Sequence, residues 1–232
     1  MADFVLVHGA WHGAWCWKRV LPLLWPAGHR AFAVSLSGVG ERAHLPPQAV
    51  TLDTHIADVV NVIEAEELLD VVLVGHSYAG VVITGVAQRS MRRLRHLVYL
   101  DAAVPLPGES WSSLHDEATR TARRHAIAEN GTLAPPDPSV YGLSGDDAAW
   151  VARRQTPHPG GVYDTPLEFD AERIGALPRT FISCTSPALP TIDASRARVR
   201  LDAGWTFLEM ATGHDPMISA PDALVRQLVA LA

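Results

Sequence analysis

Val71-Val72-Leu73-Val74-Gly75-His76-Ser77-Tyr78-Ala79-Gly80-Val81-Val82 joins an unbroken apolar run to a segment of helical spacing within a few residues. Four successive Val and Leu residues predict a strand buried on both faces, and the apolar positions from 78 to 89 predict a helix. Only a sharp turn connects the two. Small residues at Gly75 and Ala79 leave room for it, since large side chains there would clash. Such a turn holds the Ser77 hydroxyl clear of the sheet, at a helix N-terminus whose partial positive charge favours a developing oxyanion. The plainer alternative is a serine that only N-caps a helix after a buried strand.

The same alternation continues outward in both directions. Short strand-like runs at 4–7, 30–34, 71–74 and 96–100 are separated by helical segments at 15–24, 54–68 and 78–89. It resumes near the end, with strands at 180–184 and 205–210 and helices at 194–201 and 223–231. Continuous apolar strands between helices predict a mostly parallel sheet of about six strands with helices on both faces. Between 105 and 178 the strand signals vanish. A charged helical stretch at 113–129 is followed by the Pro/Gly-rich runs 134–138 and 156–161. A structureless loop of that length is improbable in a compact domain. Residues 1–104 and 179–232 are therefore read as the core, and 105–178 as an inserted helical cap above the carboxyl ends of the strands, where open α/β sheets bind ligands.

Composition narrows the function classes. The 232 residues carry a net charge of −6, which argues against a nucleic-acid surface. No apolar run approaches the roughly 18 residues of a membrane span. The first residues are too short and too acidic for a secretory leader. Cys16 and Cys184, the two cysteines, show neither metal nor disulfide spacing and read as free thiols in a reducing cytoplasm. Gly38-Val39-Gly40 lacks the third spaced glycine of a dinucleotide fingerprint.

A serine needs a base to react. Among eleven histidines, His214 has the best context, in Gly213-His214-Asp215-Pro216 after the last strand and before the closing helix. His76 adjoins the serine, but neighbours on a tight turn point apart, so it reads as a packing or hydrogen-bonding residue. Asp215 reads as a loop-orienting residue. An oxyanion hole needs two N–H donors aimed at one point. Tyr78, directly after Ser77, supplies one, and Ala10 in His8-Gly9-Ala10-Trp11 after the first strand supplies the other.

The stretches Val7-His8-Gly9-Ala10-Trp11-His12-Gly13-Ala14-Trp15, Ser37-Gly38-Val39-Gly40-Glu41-Arg42-Ala43-His44-Leu45 and Gly75 to Gly80 resemble bacterial α/β-hydrolases of the esterase type, related to plant methylesterases and hydroxynitrile lyases. The resemblance extends to Tyr99-Leu100-Asp101-Ala102 and Gly213-His214-Asp215 and is weakest in the inserted segment. It implies an α/β-hydrolase fold, Ser77 and His214 as catalytic residues, Ala10 and Tyr78 as oxyanion donors, and no cofactor or metal.

The third member of such a triad orients the histidine and stabilises its protonated form. In this family it is an aspartate just after the penultimate strand. Here that place reads Cys184-Thr185-Ser186-Pro187-Ala188-Leu189-Pro190, without a carboxylate. Three readings stand open. Asp101 ends the preceding strand, at a place resembling the acid position of haloalkane dehalogenases. Ser186 could hold His214 by a neutral hydrogen bond. Or no group fills the role.

The expected function is hydrolysis of a small to medium carboxylic ester through an acyl-enzyme, with the acid relocated or replaced. The alternatives are a non-hydrolytic lyase or cyclase acting on a natural-product intermediate, and a binding protein that has lost turnover. A lysine commonly follows the histidine in the lyase branch; Asp215 stands there instead. Trp11, Trp111, Tyr141, Trp150 and Tyr163 are the candidate pocket residues. The expected partner is a small-molecule substrate, with no nucleic acid or membrane, on a cytoplasmic monomer or homodimer.

Overall fold

The computed structural model describes residues 1–232. The strands of the main sheet are β1 (Asp3–Val7), β2 (Arg30–Val34), β3 (Val71–His76) and β4 (Leu94–Leu100) before the inserted segment. That segment carries a short ribbon, β5 (Thr132–Leu133) and β6 (His158–Pro159); β7 (Arg179–Cys184) and β8 (Thr206–Met210) then complete the sheet. The six main strands run parallel in the order β2-β1-β3-β4-β7-β8. All of β1 and β3 is buried, as their unbroken apolar runs require.

The helices are α1 (Leu21–Leu24), α2 (Leu52–Ala65), α3 (Ala79–Ser90), α4 (Glu117–Asn130), α5 (Gly145–Ala152), α6 (Ala171–Gly175), α7 (Asp193–Arg200), α8 (Pro216–Ser219) and α9 (Pro221–Ala230). Going from β1 to β2 moves one way along the sheet, while β2 to β3 to β4 moves the other. Right-handed crossovers therefore put α1 on one face and α2 and α3 on the opposite one. The reversal leaves a crevice at the carboxyl ends of β1 and β3, which are hydrogen-bonded neighbours with Val7 opposite Gly75. No helix is long and apolar enough to cross a membrane.

Two expectations are corrected. Residues 15–24 do not form one helix. They form a 3-10 turn, Ala14–Arg19, and the separate α1, because Pro22 has no N–H for a continuing ladder and can only begin a helix. Nor is the segment between β4 and β7 free of strands: Leu133 pairs with His158 in the ribbon. Strands of two residues are too short to show alternation, and Pro159 argued against one. The charged stretch does form a helix, α4, begun by the Asp116 carboxylate accepting from the Thr119 N–H at 2.7 Å and ended by Gly131 at φ +70°.

Candidate active site

Ser77 sits between β3 and α3 with φ +55°, a left-handed conformation that non-glycine residues rarely hold. Its neighbours over-determine that strain. The Ser77 N–H donates to Leu100 at 3.2 Å, and its carbonyl accepts from Gly80 and Ala103 at 3.1 and 2.9 Å. The turn is thereby fastened to the exit of β4. A Cβ at Gly75 would lie 2.8 Å from the Ala79 carbonyl, and one at Gly80 would lie 1.9 Å from that of Ala103. Gly80 thus meets the tighter constraint of the two.

Across from the turn, Gly9 comes so close that a Cβ there would stand 2.8 Å from Ser77 Cβ. The loop continues through Ala10 to Trp11, which is also left-handed at φ +66°. Neither the Ala10 nor the Tyr78 N–H donates to a protein acceptor. Buried N–H groups are nearly always paired, so two free ones flanking a serine suit an anionic oxygen. The inserted segment pins this loop: the Trp11 indole donates to the Leu133 carbonyl at 2.9 Å, and the Trp11 carbonyl accepts from the Thr156 N–H at 3.0 Å.

His214 lies in the loop after β8, buried, its N–H donating to the Tyr141 carbonyl at 2.9 Å. Its Nδ1 is 2.7 Å from Asp101 Oδ2. Asp101 follows β4 with φ +43° and no solvent exposure. Its other oxygen accepts from the Cys184 N–H at 3.1 Å and from the Arg196 guanidinium at 2.8 Å. Burial alone would raise the Asp101 pKa, but His214 and then Arg196 outweigh it, and the carboxyl lies below its ordinary value. Of the competing positions, Ser186 is exposed; its N–H donates to Thr212 at 3.0 Å, and its hydroxyl does not reach His214.

No sequence motif marks Arg196. It is nearly buried on α7 and also donates to Ser183 Oγ and to the Leu189 and Cys184 carbonyls. The available signal was an arginine three residues before buried Val199, on the apolar face of a short helix.

Ser77 and His214 face one cavity of about 330 Å³. Their side chains are not hydrogen-bonded in this conformation; such contacts often tighten only around substrate. Ala10, Trp11, Trp111 and Tyr141 line the cavity, and so do His12 and His76. Two expected pocket residues do not. Tyr163 packs behind Trp111 at 5.3 Å between ring centres. Trp150 stacks edge-on against Trp15 at 5.1 Å, with the guanidiniums of Arg19 and Arg154 over its ring. It faces away because α5 turns that side toward the 3-10 turn after β1.

Several histidines surround the site in fixed roles. His8 Nε2 accepts from the Leu36 N–H at 3.0 Å, and His55 bonds both Tyr78 and the Ser37 carbonyl. His76 Nε2 donates to the His214 carbonyl at 2.8 Å, positioning the loop. His12 joins the Ala10 carbonyl to Asp215, whose carboxyl is held at about 2, burial being outweighed by His12 beside it. One nitrogen each of His76 and His214 and one oxygen of Asp215 lie within 4.8 Å of one another, and His76 Nδ1 and Asp215 Oδ1 are buried without a hydrogen-bond partner.

Burial holds His8 and His76 down to about 3 and His55 to about 4. In the unfolded chain each binds a proton below about 6.5, whereas the folded state refuses it until those lower values. Each group therefore removes about 1.4 kcal/mol of stability per pH unit as pH falls from 6.5 toward 4. His12, raised by Asp215 against the effect of burial, is charged in both states there and does not offset this. Scanning calorimetry should show Tm falling steeply from pH 6.5 to 4.5. A flat Tm over that range would mean that these rings are not buried and neutral.

Residues 4–227 match the sequence model described as "Alpha/beta hydrolase family". The carbendazim hydrolyzing esterase of Nocardioides sp. (strain SG-4G) is 40% identical over 241 residues, covering 100% of both chains. Esterase PIR7B of Oryza sativa subsp. japonica is 33% identical, covering 99% of this chain and 95% of its own. Among solved structures, an extracellular alpha/beta-hydrolase from a Paenibacillus species superposes with a TM-score of 0.86 at 23% identity, covering 100% of this chain and 99% of its own.

Proposed function

This chain belongs to the alpha/beta hydrolase family, and from that premise we propose that it hydrolyses small to medium carboxylic esters through an acyl-enzyme on Ser77. His214 is the base, Asp101 its orienting acid, and the Ala10 and Tyr78 N–H groups the oxyanion hole. Residues 105–178 form the cap that shapes the pocket. Two similar chains are esterases by name. The observation that carries the mechanism is the 2.7 Å contact of His214 Nδ1 with a buried carboxylate, on a histidine that shares a cavity with Ser77.

The chemistry follows from those positions. Asp101 fixes the His214 tautomer with its proton on Nδ1, which leaves the Nε2 lone pair free. Nε2 takes the Ser77 proton as Oγ bonds to the acyl carbon, and the oxyanion forms against the two unpaired N–H groups. His214 then returns the proton to the departing alcohol oxygen as the ester C–O bond breaks. Water, deprotonated by the same Nε2, attacks the acyl-serine; as the tetrahedral adduct collapses the acyl C–Oγ bond breaks, His214 returns that proton to Ser77 Oγ, and the acid leaves.

A fluorophosphonate probe tests this directly. Stoichiometric labelling is expected, with the added mass on the peptide that carries Ser77. An enzyme that leaves the probe untouched while still acting on substrate would be using this fold without an activated serine, as a lyase or cyclase could.

A further inference from the structure

The lining of the cavity that Ser77 and His214 share contains one unbalanced charge. Arg123 on α4 reaches inward, its guanidinium carbon 5.6 Å from the Trp11 ring centre, 5.1 Å from Trp111 and 5.7 Å from Tyr163. Its neighbours on the same helix are neutralised: Arg120 pairs with Glu117 and Arg124 with Asp164. Arg123 has no carboxylate partner, and none of the 19 residues lining the cavity is acidic. One guanidinium nitrogen donates to His115 Nε2 at 3.2 Å. His115 therefore carries its proton on Nδ1, facing the Tyr163 hydroxyl at 3.0 Å, and remains neutral, since burial and then Arg123 itself push it down to about 3.

A guanidinium presents five N–H donors in a planar fork that matches a carboxylate with two parallel hydrogen bonds. Aromatic faces hold such a cation without consuming those donors. Burial pulls the Arg123 pKa below its ordinary value, the direction of a cation short of counter-charge. The side chain is also tied to the reaction centre, because Trp11, against which it stacks, directly follows the oxyanion donor Ala10.

We propose that Arg123 is a specificity-determining residue that binds a carboxylate on the substrate, away from the scissile ester. The preferred substrates are then esters that carry a second, anionic carboxyl group, such as monoesters of dicarboxylic acids or acylated hydroxy-acids. The reaction rests on the esterase reading given above; the binding does not.

Two matched pairs test it: 4-acetoxybenzoate against phenyl acetate, and p-nitrophenyl hydrogen glutarate against p-nitrophenyl pentanoate. They place the carboxylate on the alcohol side and the acyl side respectively. In at least one pair the charged ester should show kcat/KM about tenfold higher or more, as expected for a charge-assisted pair of hydrogen bonds. Arg123→Met should collapse that ratio to about one or below, and Arg123→Lys, with charge but no fork, should keep only part of it. Should the Met variant fail to fold, the Lys variant carries the comparison. No preference in either pair, or one that survives Arg123→Met, overturns the proposal. Calorimetric titration with 4-acetamidobenzoate and acetanilide, whose amides resist cleavage, separates binding from catalysis. Tighter binding of the carboxylate without turnover of any ester would sink the esterase reading alone, whereas turnover with equal binding would sink this one.

Discussion

Ser77→Ala should lower kcat/KM for p-nitrophenyl acetate by about 10⁴-fold or more, about 5.5 kcal/mol of lost transition-state stabilisation. The size follows from what alanine removes. The atom that bonds the acyl carbon is gone, so water must attack without the entropy advantage of a held nucleophile. Under the proposed mechanism, what survives is the pair of N–H donors at Ala10 and Tyr78 and the base at His214, enough to leave a residue of catalysis above water. The loss is separable from misfolding. Ser77 Oγ bonds no protein group in this conformation, and the strained backbone at φ +55° is held by main-chain bonds to Leu100, Gly80 and Ala103, which alanine keeps. Tm should therefore change little while turnover collapses. A variant that retained a tenth of the activity would remove Ser77 from the mechanism.

The serine turn was legible because strong local signals converge there: an unbroken apolar strand, flanking small residues and a helix within four positions. The six parallel strands were legible for the same reason, each falling within about two residues of its expected bounds. Ala10, Tyr78 and His214 are read from their order after β1, β3 and β8; β1 and β3 are hydrogen-bonded neighbours, but β8 lies three strands from β3, and the loop after it is what carries His214 to the shared cavity. The acid was not decidable in that way. Asp101 and Ser186 both follow strands that neighbour one another, and only the third dimension says which of them meets His214. Arg196 and Arg123 were illegible for another reason. A charged residue in a helix ordinarily faces water, and for Arg196 the eight-residue α7 also leaves the phase poorly defined. Trp150 shows the converse error: an aromatic in an inserted segment need not face the site, and this one covers Trp15 instead.

Asp101→Asn is expected to lower kcat by about 10³- to 10⁴-fold, with Ser186→Ala staying within about threefold, under 1 kcal/mol. The surroundings of the carboxylate give the reason. Oδ1 faces two donors, the Cys184 N–H and the Arg196 guanidinium, so an asparagine must place its carbonyl oxygen there. Its NH2 group then faces His214 Nδ1, where the carboxylate had accepted at 2.7 Å. Two donors cannot share that contact, so the ring must put its proton on Nε2. That is the nitrogen required to take the Ser77 proton, and the base is lost although every side chain stays in place. The missing negative charge also ceases to stabilise the imidazolium that forms during attack. Fluorophosphonate labelling should slow in parallel, since it needs the same proton transfer. NMR of the imidazole nitrogens would report the tautomer directly, with the proton moving from Nδ1 to Nε2 in the variant. If Asp101→Asn kept kcat within about threefold, Asp101 would be a structural carboxylate bonded to Arg196, and His214 would have no orienting acid.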